Sequence, residues 1–576
     1  MKPIVITNYL PLVASLRGYD RDTMISDLVA GLIVTIMLIP QSLAYALLAG
    51  VPPEVGMYAS ILPLVAYAVF GTSRTLSVGP VAIASLMTAV ALGQVAKAGT
   101  ADYVSAAIVL AFLSGVFLIM LGILRLGFLA NFLSHTVVSG FITASAILIA
   151  LSQMKHILGI SAQGDTFVDL GLSLILHLPN INYDTLTVGI GVVAFLLWAR
   201  RGAVDMMQQL GMPKSTAQLV AKAAPVFGIA ATILSAVVLD LNASGVALVG
   251  MVPAGLPTIR LPVFSMALVE ALVLPAIAIS IIGYVESISV GKTLGAKRGQ
   301  RVDGNQELIG LGAANIASSI SGGFPVTGGF SRSVVNFDAG ASTQLAGILA
   351  ALGIALAALF LTPVLYYLPQ ATLAATIIVA VLSLIDFSIL KKTWILSKSD
   401  FFAVSLTILG TLLFGVEAGV AAGVLVSLGL YLYRTSKPHI AEVGLIEGTE
   451  HFRNVLRHSV TTHPQLLSLR VDENLFFANA GYLEDCIYAA LQKNPKVKHL
   501  VLMCSACNAI DYTALEVLET INAHLRDMDV IFHLSEIKGP VMDHIEHTGF
   551  LAHLTGDVYL SQYQAYTELS QRLSPP

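Results

Sequence analysis

The chain has 576 residues, 56% of them hydrophobic and 11% charged, with a mean hydropathy of +0.80 and a formal net charge of −4. Soluble domains carry roughly a quarter charged residues, so this much apolar side chain can be kept from water only in a membrane. The small net charge argues against a nucleic-acid partner; a buried anion site, which depends on local field, stays open.

The first long apolar run, about Ile25 to Gly50, follows Asp20, Arg21 and Asp22. A cleavable signal would have a basic start and a shorter apolar core, whereas this run is long enough to span as a helix. Apolar stretches then recur at 26–48, 56–70, 80–96, 103–124, 130–153, 183–199, 217–239, 268–293, 305–321, 330–338, 343–362, 367–385, 400–413 and 415–434. That predicts an α-helical polytopic protein of about fourteen spans. Arg74, Arg125, the group Arg200, Arg201 and Lys214, the group Lys297, Arg298 and Arg301, and the pair Lys391 and Lys392 fall in alternate loops. The remaining loops hold only Lys97, Lys155 and Arg260. The positive-inside rule therefore puts the first set, and with an even number of spans both termini, in the cytoplasm.

In the first span, Gln41 and Tyr45 are i and i+4 and share one helix face, as side-chain donors to a ligand or in a hydrogen bond between packed helices. The third span is short. Arg74-Thr-Leu-Ser-Val-Gly79-Pro80 reads as a β-like run that ends at Gly-Pro, where an apolar helix starts with Val81 and Ala82. Glu286 lies in the eighth span, where a carboxylate is expensive and is by default a functional residue. It reads either as the group that couples proton to anion movement or as a standing partner for Arg332. The tenth span repeats the pattern of the third: Gly322-Gly-Phe-Pro-Val-Thr-Gly-Gly, then a helix start at Phe330, Ser331, Arg332 and Ser333. Broken segments at matching places in two halves mark inverted-repeat transporters. A helix that starts inside the bilayer presents unpaired N–H groups and a positive dipole end. Two such ends aimed at one point favour an anion.

After Arg434 charged residues become common. Leu466 to Val471, Val497 to Met503 and Val530 to Leu534 read as strands, and 481–492, 513–526 and 539–548 as helices. This predicts a transport domain over 1–435 and a small α/β domain over 436–576. Cys486, Cys504 and Cys507 all lie in that polar part, so reduced thiols are expected. Cys504-Ser-Ala-Cys507 has no second pair to complete a metal site.

Together the segments Pro40-Gln-Ser-Leu-Ala-Tyr45, Ser77-Val-Gly-Pro80, Val285-Glu286-Ser287, Asn305-Gln-Glu307 and Gly329-Phe-Ser-Arg332-Ser333 resemble the SulP sulfate permease family. The C-terminal part is similar to its STAS domain. The resemblance implies two inverted seven-span repeats forming core and gate domains, elevator-like alternating access, and a homodimer. It implies an anion held near Gln41, Tyr45, Val81, Ala82, Phe330, Ser331 and Arg332, with Glu286 coupling proton to anion. It is closest to proton-coupled sulfate transporters of a plasma or inner membrane. Bicarbonate or dicarboxylate transport, sodium coupling and a passive anion channel or exchanger use the same site. Thr513, in Asn508-Ala-Ile-Asp511-Tyr-Thr513, matches a phosphorylatable position of STAS-domain regulators, or else is a helix N-cap. No metal or cofactor is expected. With neither H-E-x-x-H nor G-x-S-x-G and no paired acid/base residues, an enzyme is not expected either.

Overall fold

A computed structural model describes residues 10–573 apart from 17, 99, 132–133, 165, 214–216, 218–219 and 222–223. Lys214, one of the charges used for orientation, lies outside the described residues. The chain divides into two compact units, Met1–Ser427 and Leu428–Pro576. The division falls inside the helix Val416–Ser436.

The first unit is helical. Its principal helices are α1 (Arg21–Leu48), α2 (Pro53–Tyr58), α3 (Leu62–Phe70), α4 (Ala82–Gly93), α5 (Ala101–Ile123), α6 (His135–Leu158), α7 (Tyr183–Arg201), α8 (Ala224–Val238), α9 (Met266–Lys297), α10 (Gly304–Ile320), α11 (Phe330–Asp338), α12 (Leu345–Phe360), α13 (Gln370–Leu382), α14 (Lys398–Phe414) and α15 (Val416–Ser436). Each of the fourteen apolar stretches overlaps at least one of them. Six helical segments of the described residues are by themselves long and apolar enough to cross a bilayer. Helices α4 and α11 are shorter, because each starts from an extended segment. Lys155, Arg200 and Arg201 do not lie in loops: they belong to the last turns of α6 and α7.

Where helices must approach closely, glycine removes the side chain. A Cβ on Gly115 of α5 would lie 2.9 Å from the Gly312 carbonyl oxygen, and one on Gly312 of α10 would lie 2.8 Å from that of Gly115. Small residues at such crossings let backbones pack tightly where lipid offers no hydrophobic drive. The long helices start at polar caps. Asp20 accepts from the Thr23 N–H at 2.9 Å, and Asp303 accepts from Asn305 and Gln306 at 2.9 and 3.1 Å. Helices α4 and α11 have no such side-chain cap.

The second unit is built on a six-stranded sheet. Its elements are β3 (Ile440–Leu445), β4 (Phe452–Asn454), β5 (Leu466–Val471), α16 (Ala480–Lys493), β6 (His499–Met503), α17 (Tyr512–Asp527), β7 (Ile531–Ser535), α18 (Gly539–Glu546), β8 (Val558–Tyr559) and α19 (Gln562–Leu573). The strand order is β4-β3-β5-β6-β7-β8, parallel from β5 to β8 and antiparallel at β3. Leu467, Leu469, Leu500, Leu502 and Phe532 turn inward against Ile487 and Leu518 of the helices. Cys504 and Cys507 are buried in this core, and burial pushes both thiols up, which keeps them protonated and inert.

Candidate functional site

The extended segments before α4 and α11 meet. β1 (Val78–Gly79) and β2 (Thr327–Gly328) pair antiparallel, Val78 opposite Gly328 and Gly79 opposite Thr327. The ladder is held from both sides. The Gly329 N–H donates to the Ser77 carbonyl at 3.1 Å, and the Ser77 N–H donates to Ser333 Oγ at 3.0 Å. Asn336 Nδ2 donates to the Thr75 carbonyl at 3.0 Å. On the β2 side, Asn315 of α10 both donates to the Val326 carbonyl and accepts from its N–H, each at 2.9 Å. Thr327 Oγ1 donates to the Gly283 carbonyl of α9 at 2.7 Å, and the Gly328 N–H donates to Ser287 Oγ at 2.9 Å. Backbone in non-helical form at membrane depth is tolerated only with such internal partners. The consequence is a rigid start for two helices whose first N–H groups no side chain caps.

Arg332, on the first turn of α11, is 2% exposed. Its Nη1 donates to the Pro80 carbonyl. Its Nε and Nη2 are buried without a hydrogen-bond partner. The guanidinium lies against bare backbone: a Cβ on Gly329 would come within 2.9 Å of Nη2 and 3.1 Å of Cζ, and one on Gly79 within 3.5 Å of Nη2. Glycine at 329 is therefore what leaves room for the arginine.

A cavity of about 340 Å³ opens where the two helices start. Gln41, Tyr45, Val81, Ala82, Glu286, Phe330, Ser331 and Arg332 all line it, so every membrane-site residue singled out in the sequence is brought to one place. The side chains of Gln41 and Tyr45 make no hydrogen bond among the described residues, so a hydrogen bond between packed helices is not what they form here, although Tyr45 is packed into the core. Phe330 is half exposed and Ser331 exposed toward the cavity. Arg200, Asp338 and Ser383 line it too, and also a wider adjoining cavity of about 480 Å³ that reaches Met37 and Pro40. The sequence reading missed these three. Arg200 looked like a loop charge because its helix is longer than its apolar run.

Two carboxylates, Asp27 and Glu307, are buried in this unit and a third, Glu286, is partly buried; their surroundings differ. Asp27 accepts from the Ser342 and Thr343 N–H groups at 2.7 and 3.0 Å and from Thr343 Oγ1 at 2.5 Å, and so caps the approach to α12. Glu307 accepts from Tyr67 Oη, Thr72 N and Oγ1, and Ser73 N at 2.6 to 3.0 Å. It ties α10 to the loop that enters β1. Glu286 is the exception, since its Oε2 is buried with no hydrogen-bond partner. Among the described residues no ion pair within 4 Å joins Glu286 to Arg332, although the two charges are near enough to attract each other. Arg298, another charge assigned to a loop, covers the far end of α11: Nη2 donates to the Phe337 carbonyl at 2.6 Å, with the guanidinium 4.1 Å over the Phe337 ring.

In the second unit α17 is capped by Asp511, which accepts from the Ala514 N–H at 2.8 Å. Thr513 is therefore not the N-cap; it is an exposed first-turn residue. Among the described residues no group of three or more His, Cys, Asp or Glu side chains is arranged to hold a metal.

The sequence profile of the sulfate permease family matches residues 24–407, and that of the STAS domain matches residues 457–565. Sulfate transporter 4.1, chloroplastic, of Arabidopsis thaliana is 36% identical over 521 residues, which cover 88% of this chain and 74% of that one. A probable sulfate transporter of Mycobacterium tuberculosis is 32% identical over 550 residues, 94% of each chain. The murine Solute Carrier 26 family member A9 anion transporter, solved in the inward-facing state, has the same fold. It superposes with a TM-score of 0.90 at 24% identity, over 98% of this chain and 94% of that one.

Proposed function

This chain belongs to the sulfate permease family, with a C-terminal STAS domain, and from that premise we propose that it is a secondary active transporter that carries sulfate across a membrane together with a proton. It is a transporter and not an enzyme. The observation that carries the anion reading is the buried Arg332 guanidinium, two of its nitrogens without partners, beside two uncapped helix starts. Each helix start contributes about half a positive charge, and a fixed cation in a cavity poor in water acts over a longer range than it would in solvent. In this reading Ser331, Gln41 and Tyr45 donate to the anion, while Val81, Ala82 and Phe330 supply backbone N–H groups and the walls.

Glu286 is the proton carrier of the proposal. Asp27 and Glu307 each accept several hydrogen bonds, and Glu286 Oε2 accepts none. An anion entering beside it disfavours the ionised carboxylate, and by linkage protonation favours anion binding by the same factor. The unit carrying α4 and α11 would then shift past the helices that line the other wall, α7 and α13, in an elevator-like step. A homodimer, cytoplasmic termini, a plasma or inner membrane, a transport domain ending near residue 435 and a regulatory role for exposed Thr513 complete the proposal.

The test is uptake of labelled sulfate into proteoliposomes at two external pH values, with bicarbonate, succinate and selenate as competitors. Selenate should compete best, and uptake should rise when the outside is acidic. Glu286→Gln should keep sulfate exchange and lose accumulation driven by a pH gradient. Proton-driven accumulation by Glu286→Gln would remove Glu286 from the coupling role, and preference for bicarbonate would replace the substrate.

A further inference from the structure

Beyond the transport site, on the side away from Arg200, lies a second cavity of about 230 Å³. Its position follows from α1 and α4. Along α1 the wide cavity takes Met37 to Gln41, the transport site Gln41 to Tyr45, and the second cavity Leu47 and Leu48. Along α4 the transport site ends at Ile83 and the second cavity begins at Leu86. At 1.5 Å per residue these gaps are roughly 3–5 Å along the helix axes. The second cavity is therefore the next chamber on the way out, opposite the side from which Arg200 faces the site.

Its floor is apolar and its rim is not. Gln153, Lys155 and His156 of α6, together with Gln163, line it opposite Leu48 and Leu86. Lys155 is only partly exposed. Its ammonium makes no hydrogen bond or ion pair among the described residues, and no described carboxylate lines the chamber. An ammonium taken partly out of water without a partner is costly. Topology does not explain it, because this face holds few cations by the same charge bias that orients the chain. Nor does the bland alternative of a lysine reaching for lipid headgroups explain why it lines a chamber with two glutamines and a histidine.

We propose that this chamber is a waiting site for a small oxyanion on the outer approach, with the Lys155 ammonium as its charge and the Gln153 and Gln163 amides as neighbouring donors. The proposal rests on the anion-transport reading and extends it to a second station. Its role is recruitment: the anion is held there before it reaches Arg332, so the site sets affinity from one face and not the rate of crossing.

The first test uses the full-length protein in vesicles of zwitterionic lipid, with sulfate supplied from either face. Lys155→Gln should raise KM from the outer face about five- to tenfold, the loss of one charge-assisted contact. It should leave the outer-face kcat and the inner-face KM unchanged, with the inner-face maximal rate falling in proportion as detailed balance requires, and Lys155→Arg should restore the outer KM. Equal KM changes on both faces, or a fall in the outer-face kcat alone, would overturn the proposal. So would an effect seen only when anionic lipid is added, which would make the chamber a headgroup site. The second test needs no transport. Acylation of Lys155 by a small amine reagent, read by mass spectrometry, should be slowed by sulfate and not by gluconate at equal ionic strength. That protection should persist in Arg332→Gln. Its absence in the unmodified protein would refute the waiting site, while its persistence in a protein that carries no sulfate would fault the transport reading alone.

Discussion

Helices α4 and α11 start from one two-stranded ladder, neither has a side-chain cap, and both open onto the same cavity. Their first turns differ. That of α4 is Ala82, Ile83, Ala84 and Ser85, all buried; that of α11 is Phe330, Ser331, Arg332 and Ser333, half of it open to the cavity. The backbone repeats in the two halves and the side-chain chemistry does not. One half-helix can offer an anion only its dipole and its N–H groups, and the other adds a hydroxyl and a fixed charge. An inverted repeat can thus keep its symmetry in the part that shapes the cavity and break it in the part that selects the ligand.

The most severe way to break the asymmetry is Arg332→Gln. It removes the charge and keeps a side chain of polar character near the Pro80 carbonyl. Loss of a charged partner in a buried site costs about 3 kcal/mol or more, so sulfate affinity measured by calorimetry should fall at least about a hundredfold. The next comparison uses the two glycines. Gly329→Ala pushes a methyl group to within 2.9 Å of the guanidinium, whereas Gly79→Ala meets it at an ordinary 3.5 Å. Overpacking of this kind costs about 1–3 kcal/mol, so the first variant should bind sulfate roughly tenfold more weakly or worse. The second should stay within a factor of about three, because 3.5 Å is a normal contact distance. Similar losses in both would mean that the guanidinium is not the element the glycines make room for. Ser331→Ala removes one hydrogen bond to a charged ligand, about 1.5 kcal/mol and roughly tenfold in Kd, with selenate affected as much as sulfate.

Much of this was legible in the sequence. Gly79-Pro80 and Gly328-Gly329 mark the two half-helices because glycine and proline punctuate backbone wherever they occur, and the helices begin within two residues of the expected places. Gln41, Tyr45 and Glu286 were visible because polar residues are rare in apolar runs. In the second unit β5 is where its leucine-rich run put it, at Leu466–Val471, but β3, β4, β8 and α19 were not anticipated. Those elements are short or carry charges, and their strands depend on neighbours in the sheet for their pairing. The direction of Arg332 toward Pro80, the saturation of Glu307 and the arrival of Arg200 at the cavity are tertiary facts. No spacing along the chain encodes which of several buried carboxylates will find donors.

The account stands on one claim: the anion lies between the starts of α4 and α11. Anomalous diffraction from crystals grown with selenate tests it without reference to flux, pH or orientation. The expected result is a selenium peak that places a selenate oxygen within hydrogen-bonding distance of Ser331 Oγ, between Val81 and Phe330 and beside the Arg332 guanidinium. A peak elsewhere in the membrane unit with none at that position, at a selenate concentration that saturates binding, would contradict it.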